Sequence, residues 1–230
     1  MRIAYLFVGH SRTWDKCYQN FFDHIYNFAP GDIYIHTWDT VNTFHGSHWN
    51  GWVDLTGDKL EISLQTPDFT AIHKAYKPKI MIVEKESPVL EMEKKSHVCQ
   101  NKNTANSAVR NILKAFRSLF EIARSQGSYE KFFCTRMDIK YTSDLNLEEL
   151  QQPYLMSPDI EHNDFSDIWV VGDEHQIDIK TKYVYHIDEY WYQKRDYNNY
   201  HHEWALKEYI HDTGILCKNL GLSYEVVRLF

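Results

Sequence analysis

Ile3-Ala4-Tyr5-Leu6-Phe7-Val8-Gly9 is a continuous apolar run that halts at a glycine. A strand reads as uniformly apolar, rather than alternating, when both of its faces are covered, as they are inside a parallel sheet. Working outward, residues 14–28 place Trp14, Phe21, Phe22, Ile25 and Phe28 at helical spacing, and Pro30-Gly31 ends that segment. Asp32-Ile33-Tyr34-Ile35-His36-Thr37-Trp38-Asp39 then reads as a second strand, which completes a β-α-β unit. The chain therefore opens as α/β, with a central, mostly parallel, Rossmann-like sheet and helices on both faces.

The remainder fits one domain over residues 1–230. Residues 40–78 carry Gly46, Gly51 and Gly57, several His and Trp, and no sustained period, which predicts a loop-rich insertion with short elements. Lys79 to Glu84 reads as a strand, and the charged stretch after it, residues 84–96, as a solvated connection. The clearest helix runs from a cap at Asn103 or Thr104 to Gly127, with Ala108, Ile112, Phe116, Leu119 and Ala123 on one stripe. Strands are expected at Tyr129–Thr135, Pro153–Met156, Asp167–Gly172 and Leu222–Leu229, and helices at 173–183 and 202–213.

Composition narrows the partners. Lys+Arg 25 against Asp+Glu 32 gives a formal charge of -7, with the basic residues scattered, which argues against nucleic acid. A hydrophobic fraction of 43% with 25% charged residues describes a folded, soluble chain, and no apolar run is long enough for a transmembrane segment. Cys17, Cys99, Cys134 and Cys217 form no C-x-x-C pair, and the N-terminus lacks a signal-peptide cleavage site, so a reducing, cytoplasmic setting is expected. Trp 7, Tyr 16 and Phe 12 are many rings for this length. They suit either stacking on sugars and bases or the filling of an aromatic core.

Polar residues gather where strands end, and ligand sites in open α/β sheets lie at those carboxyl ends. Gly9-His10-Ser11-Arg12-Thr13 follows the first strand, where backbone N–H groups, a helix dipole and Arg12 suit an anion; a tight turn capped by Ser11 or Thr13 is the other reading. Asp39 ends the second strand and suits a base N–H or a ribose hydroxyl, or caps the next loop. Arg136-Met137-Asp138 ends a third. Residues two apart on a strand share a face, so Arg136 and Asp138 can meet a metal-bound diphosphate together or form a plain surface pair. Asp164, Asp167 and Asp173 surround an aromatic strand; Asp167 is the candidate general base, with turn and helix capping as the alternative. His201 and His202, being adjacent, face different ways on a helix and make no H-E-x-x-H metal pair.

Three blocks, residues 2–14, 32–39 and 132–141, with residues 165–173 and 201–210 behind them, resemble small GT-A-type glycosyltransferases, found in bacterial polysaccharide gene clusters and in large viruses that glycosylate their capsids. The resemblance implies a GT-A-like fold, a UDP- or GDP-sugar donor, a glycan or glycoprotein acceptor, and Mn²⁺ or Mg²⁺. It implies that Gly9, His10, Arg12, Thr13 and Asp39 surround the nucleoside and that Asp138 holds the metal. Arg136 stands where the family's D-x-D motif has its first Asp, so this chain departs from the pattern. Arg136, Arg12 or Arg110 then offers positive charge to the leaving diphosphate, and Asn106 and Arg110 either reach the cleft from the long helix or lie on its solvent face. The aromatics at Phe44, His45, His48, Trp49 and Trp52, and at Tyr190 to Tyr192, are candidates for an acceptor platform or for a small core. Two rivals stand beside this reading: a carbohydrate-binding protein with a degenerate donor site, and a serine hydrolase using Ser11, for which the second glycine of the G-x-S-x-G elbow is missing.

Overall fold

The structure is a computed structural model and describes residues 1–11, 13–39, 41–45, 61–85, 102–158, 168–190 and 202–227; at 41–45, 61–65, 102–109, 188, 202 and 204 only the backbone is described. In chain order the elements are β1 (Ile3–Val8), α1 (Trp14–Phe21) continued by a π-helical turn (Phe22–Tyr26), β2 (Gly31–Trp38), β3 (Val41–His45), β4 (Glu61–Gln65), α2 (Phe69–Tyr76), β5 (Ile80–Glu84) and α3 (Lys102–Gln126). There follow β6 (Lys131–Thr135), β7 (Ile139–Tyr141), α4 (Leu147–Leu150), β8 (Leu155–Met156), β9 (Trp169–Gly172), α5 (Glu174–Asp188), α6 (His202–Asp212), β10 (Cys217–Lys218) and β11 (Tyr224–Val226).

Among the described residues the main sheet has seven strands in the order β5-β2-β1-β6-β9-β8-β10. β1 pairs in parallel with β2 on one side and β6 on the other, and β5 continues the parallel half beyond β2. β9 runs antiparallel to both β6 and β8, while β10 pairs in parallel with β8. The α/β class with a mostly parallel sheet is as the apolar runs predict. No helix among the described residues is long and apolar enough to cross a membrane.

Both faces of β1 are dry. Ala4, Leu6 and Val8 pack with Phe116, Leu119, Phe120 and Ala123 of α3 and with Ile177 and Val184 of α5. Ile3, Tyr5 and Phe7 pack with Phe21 of α1, Ile25 of the π turn and Ile72 and Tyr76 of α2. Rings meet edge-on across that second face, with Tyr5–Phe21 at 5.2 Å and Phe7–Phe21 at 4.9 Å between centroids, so many of the aromatics do fill the core.

Several elements differ from expectation for reasons of long-range pairing. The Leu222–Leu229 strand is shorter, Tyr224–Val226, and joins β7 rather than the main sheet. The side-chain amide of Asn20 imitates a third strand on β7: its Nδ2 donates to Tyr141 O at 2.9 Å and its Oδ1 accepts from Tyr141 N at 2.6 Å. Within 40–78, where short elements are expected, stand the antiparallel pair β3–β4 and α2, the latter capped by Asp68, whose carboxylate accepts from Ala71 N at 2.9 Å, and closed by Lys77 in the left-handed region. Asp173 is the N-cap of α5 in a capping box with Gln176, which assigns it to helix initiation. Residues 86–96 of the charged connection lie outside the described residues.

At the amino edge of the sheet the charges are mutually satisfied. Asp32 accepts from Lys79 Nζ at 2.7 Å, Tyr129 OH at 2.6 Å and Arg2 Nη2 at 3.2 Å. Burial raises its carboxyl pKa, but these donors outweigh burial and hold it below the usual carboxylate range. Gly31, next to Asp32, is the first residue of β2. A Cβ there would stand 2.3 Å from the backbone oxygen of Ile3. Gly31→Ala is therefore expected to destabilise the fold by about 1–3 kcal/mol through forced separation of β1 and β2, measured by urea unfolding. An unchanged midpoint would contradict this close approach.

Candidate functional site

In an open α/β sheet the ligand crevice opens where successive crossovers change direction. Here β2 and β5 were laid down on one side of β1 and β6 on the other, so the crevice lies between the carboxyl ends of β1 and β6. Gly9 ends β1, and Arg136-Met137-Asp138 ends β6.

Gly9 has φ +133°, a conformation that L side chains rarely adopt, and its N–H donates to His36 O at 3.3 Å, which turns the chain toward β2. Its hydrogen faces Arg136, whose Cγ would be 3.9 Å from a Cβ at this position. The turn after β1 and the triplet after β6 are thus neighbours. Arg136 Nε donates to Asp138 Oδ1 at 2.9 Å and its Nη2 to Oδ2 at 2.6 Å, a fork that engages both carboxylate oxygens. This is not a surface pair: the Asp138 side chain is 7% exposed and that of Arg136 28%. Between them Met137 anchors the turn by burying its side chain with Phe133, Ile139 and Tyr141.

The C-terminal segment locks this turn in place. Val227 N donates to Asp138 O at 2.8 Å, and Val227 O accepts from Thr13 Oγ1 at 3.0 Å. Thr13 is accordingly buried, and although it precedes α1 its side chain makes no cap hydrogen bond. Its hydroxyl sews the β1 turn to the chain end instead. Residue 227 has no local signal for this role; only the pairing of β11 with β7 brings it here.

A second row of groups lies at the end of β2. The rings of His36 and Trp38 are 5.7 Å apart edge-on, and the His10 ring lies 5.0 Å from Trp38. Asp39 N donates to Glu84 O at 2.8 Å, holding the end of β2 to β5. His36, which the sequence reading passed over, lies 3.2 Å from Glu84 Oε2 through Nε2. Burial lowers the imidazole below its ordinary value of 6.5 by more than the Glu84 carboxylate raises it, so the ring is neutral at pH 7 and donates from Nε2. Among the described residues His36 Nδ1, Thr37 Oγ1 and Ser11 Oγ are buried without hydrogen-bond partners. Trp169 Nε1 and Tyr183 OH are orphaned likewise; the three near the carboxyl ends of β1 and β2 are atoms that water or a polar ligand can satisfy. Ser11 Oγ also engages no imidazole, so the arrangement a serine nucleophile requires is not made.

Of the other sequence candidates, Arg110 sits where α3 meets α5, near enough to Tyr183 to oppose the rise that burial imposes on that phenol. Arg12, Asp164, Asp167, His48, Trp49, Trp52, Trp191, Tyr192 and His201 lie outside the described residues, as do the side chains of Phe44, His45, Asn106 and His202. Tyr190 donates to Asp212 Oδ2 at 3.0 Å and meets Tyr209 edge-on at 5.3 Å, which makes it part of a packed helix contact.

The described residues of the site form no Mn²⁺ or Mg²⁺ cage. Such ions take several oxygens at once. Asp138 has both of its oxygens on Arg136, and among the described residues no group of three or more His, Cys, Asp and Glu side chains converges. A separate cavity of about 350 Å³ stands at the amino end of β2, lined by Phe22, Tyr26, Asp32 and Lys77 among others. Its carboxylate is already neutralised by Lys79, and it lies at the wrong end of the strands for a crevice ligand.

Because the folded-state pKa of His36 is below its unfolded value, the unfolded chain binds the extra proton first as pH falls. The stability this neutral histidine contributes is complete well above pH 6.5 and is lost as pH drops through 6.5 toward the depressed folded value. Unfolding free energy is expected to fall as pH drops through 6.5 toward the depressed folded value, and His36→Gln to flatten that slope. Equal slopes in the two proteins would remove His36 as the cause. No family model and no curated protein matches the chain, so the chemistry of the crevice is read from its own residues.

Proposed function

We propose that the protein is a GT-A-like glycosyltransferase that moves a hexose from a nucleoside-diphosphate sugar to a hydroxyl of a glycan or glycoprotein. The observation that carries the reading is the Arg136-Asp138 fork at the end of β6, facing Gly9 across the point where the strand order reverses. A cation held there suits a diphosphate. The glycine turn gives the backbone close approach to it, and the His10–Trp38 rings beside Asp39 suit a flat base and its ribose.

In the transfer, the bond from the anomeric carbon to the diphosphate oxygen breaks and its electron pair leaves with the diphosphate. The acceptor oxygen bonds the anomeric carbon and gives up its proton. Charge develops on the leaving oxygen, and a guanidinium already fixed beside it stabilises that charge without reorganising. Asp167 is proposed to take the acceptor proton in an inverting reaction and to position the acceptor in a retaining one.

Thermal unfolding with UDP-, GDP-, dTDP- and CMP-sugars tests the donor site. A donor at about a hundredfold over its Kd adds about 2.7 kcal/mol and raises the midpoint clearly. No shift with any of the four, in folded protein, overturns the reading in favour of a glycan-binding role. Asp167→Asn is expected to lower the transfer rate by about a hundredfold or more with donor affinity unchanged. An unchanged rate would take Asp167 out of the reaction.

A further inference from the structure

The Arg136-Asp138 fork raises a question of charge. A D-x-D pair carries two negative charges and reaches neutrality when a divalent cation binds. Arg136 and Asp138 together are already neutral, and the guanidinium occupies both oxygens that a cation would need. Exposure points the same way. The cation is the more accessible member of the pair, at 28% against 7% for the carboxylate. A divalent ion would have to break a bidentate, charge-assisted pair to reach a buried carboxylate.

The surroundings hold this arrangement rather than merely permitting it. Asp138 is fixed through its own carbonyl to Val227 N, and Met137 is buried behind it, so the carboxylate is a rigid acceptor. Arg136 runs from the strand end past the hydrogen of Gly9, within ordinary contact of a Cβ at that position, and the φ of +133° there disfavours a side chain. The pairing uses two of the five N–H donors of the guanidinium and sets its plane.

We propose that this protein binds the diphosphate of its nucleotide without a divalent ion, with Arg136, oriented by Asp138, standing in the place of the metal. The inference rests on the nucleotide-sugar reading above and specifies how that site meets the leaving group. Asp138 is then a positioning residue and not a metal ligand.

Calorimetric titration of the full chain with UDP and with GDP, each in excess EDTA and again in excess Mn²⁺, tests it. The expected result is binding of at least one of them with Kd values in the two conditions that agree within about threefold. Tight binding in Mn²⁺ that disappears in EDTA overturns the inference and leaves the donor-site reading standing. Binding of neither nucleotide in either condition overturns that reading and the inference with it. Arg136→Met is expected to weaken nucleotide binding by about ten- to a hundredfold, and Arg136→Lys by less, since the lysine keeps the charge and loses the fork. Arg136→Asp restores two acids in the triplet and is expected to bind nucleotide only when Mn²⁺ is present. Each variant is first shown to be folded by its thermal transition; the wild-type titration decides the matter even if none of them folds. A folded Arg136→Met protein with wild-type affinity overturns the inference.

Discussion

β1 has water on neither face and neighbours on both edges, and the remainder of the molecule is arranged around that condition. A strand so enclosed needs a parallel partner on each side, β2 and β6, and a helical layer above and below. Parallel partners require crossovers, and crossovers deliver each successive strand with its carboxyl end at the same edge. Because the chain goes first to one side of β1 and later to the other, the turn after β1 is left between departing paths. The crevice is thus a consequence of topology before any polar residue is placed in it. The opposite edge is closed by Asp32, Lys79, Arg2 and Tyr129, whose polar groups satisfy one another.

What the sequence makes legible is whatever local periodicity governs. β1, α1 with its π turn, β2 and α3 each carry an uninterrupted apolar run or stripe, and their bounds fall within a few residues of expectation. Elements that depend on distant partners are not legible in this way. Ile139-Lys140-Tyr141 alternates over three residues only, and its ladder is completed by β11 on one side and by the amide of Asn20 on the other. Two-residue β10 exists because β8 offers it an edge. α2 ends at Lys77 in a left-handed conformation that a glycine would ordinarily announce, so the usual stop signal is missing.

The site divides along the same line. The two-residue spacing of Arg136 and Asp138 puts them on one face, which the sequence shows; whether they reach outward for ligands or toward each other is decided by what lies behind them. Burial of Met137 and the hold of Val227 on Asp138 O settle it toward pairing. Thr13 has the residue type and position of a helix cap, yet the chain end competes for its hydroxyl and takes it. His36 has no motif around it. Its neutrality comes from burial beside Trp38, a property of the packed sheet and not of the sequence near it.

A chain of net charge -7 is an unpromising receptor for a dianion unless positive charge is concentrated where the ligand enters. Lone arginines do this poorly, since a mobile guanidinium loses rotamer freedom each time it binds. Pairing with a buried carboxylate removes that freedom in advance, during folding. The carboxylate cancels part of the field, but it is the more deeply buried member of the pair. On the proposed reading, an incoming phosphate oxygen would meet a donor plane already set, with the cation nearer to it than the anion. On this physical ground a bidentate Arg-Asp pair and a metal-loaded acidic pair are alternative solutions to one problem, the delivery of oriented positive charge from a neutral assembly.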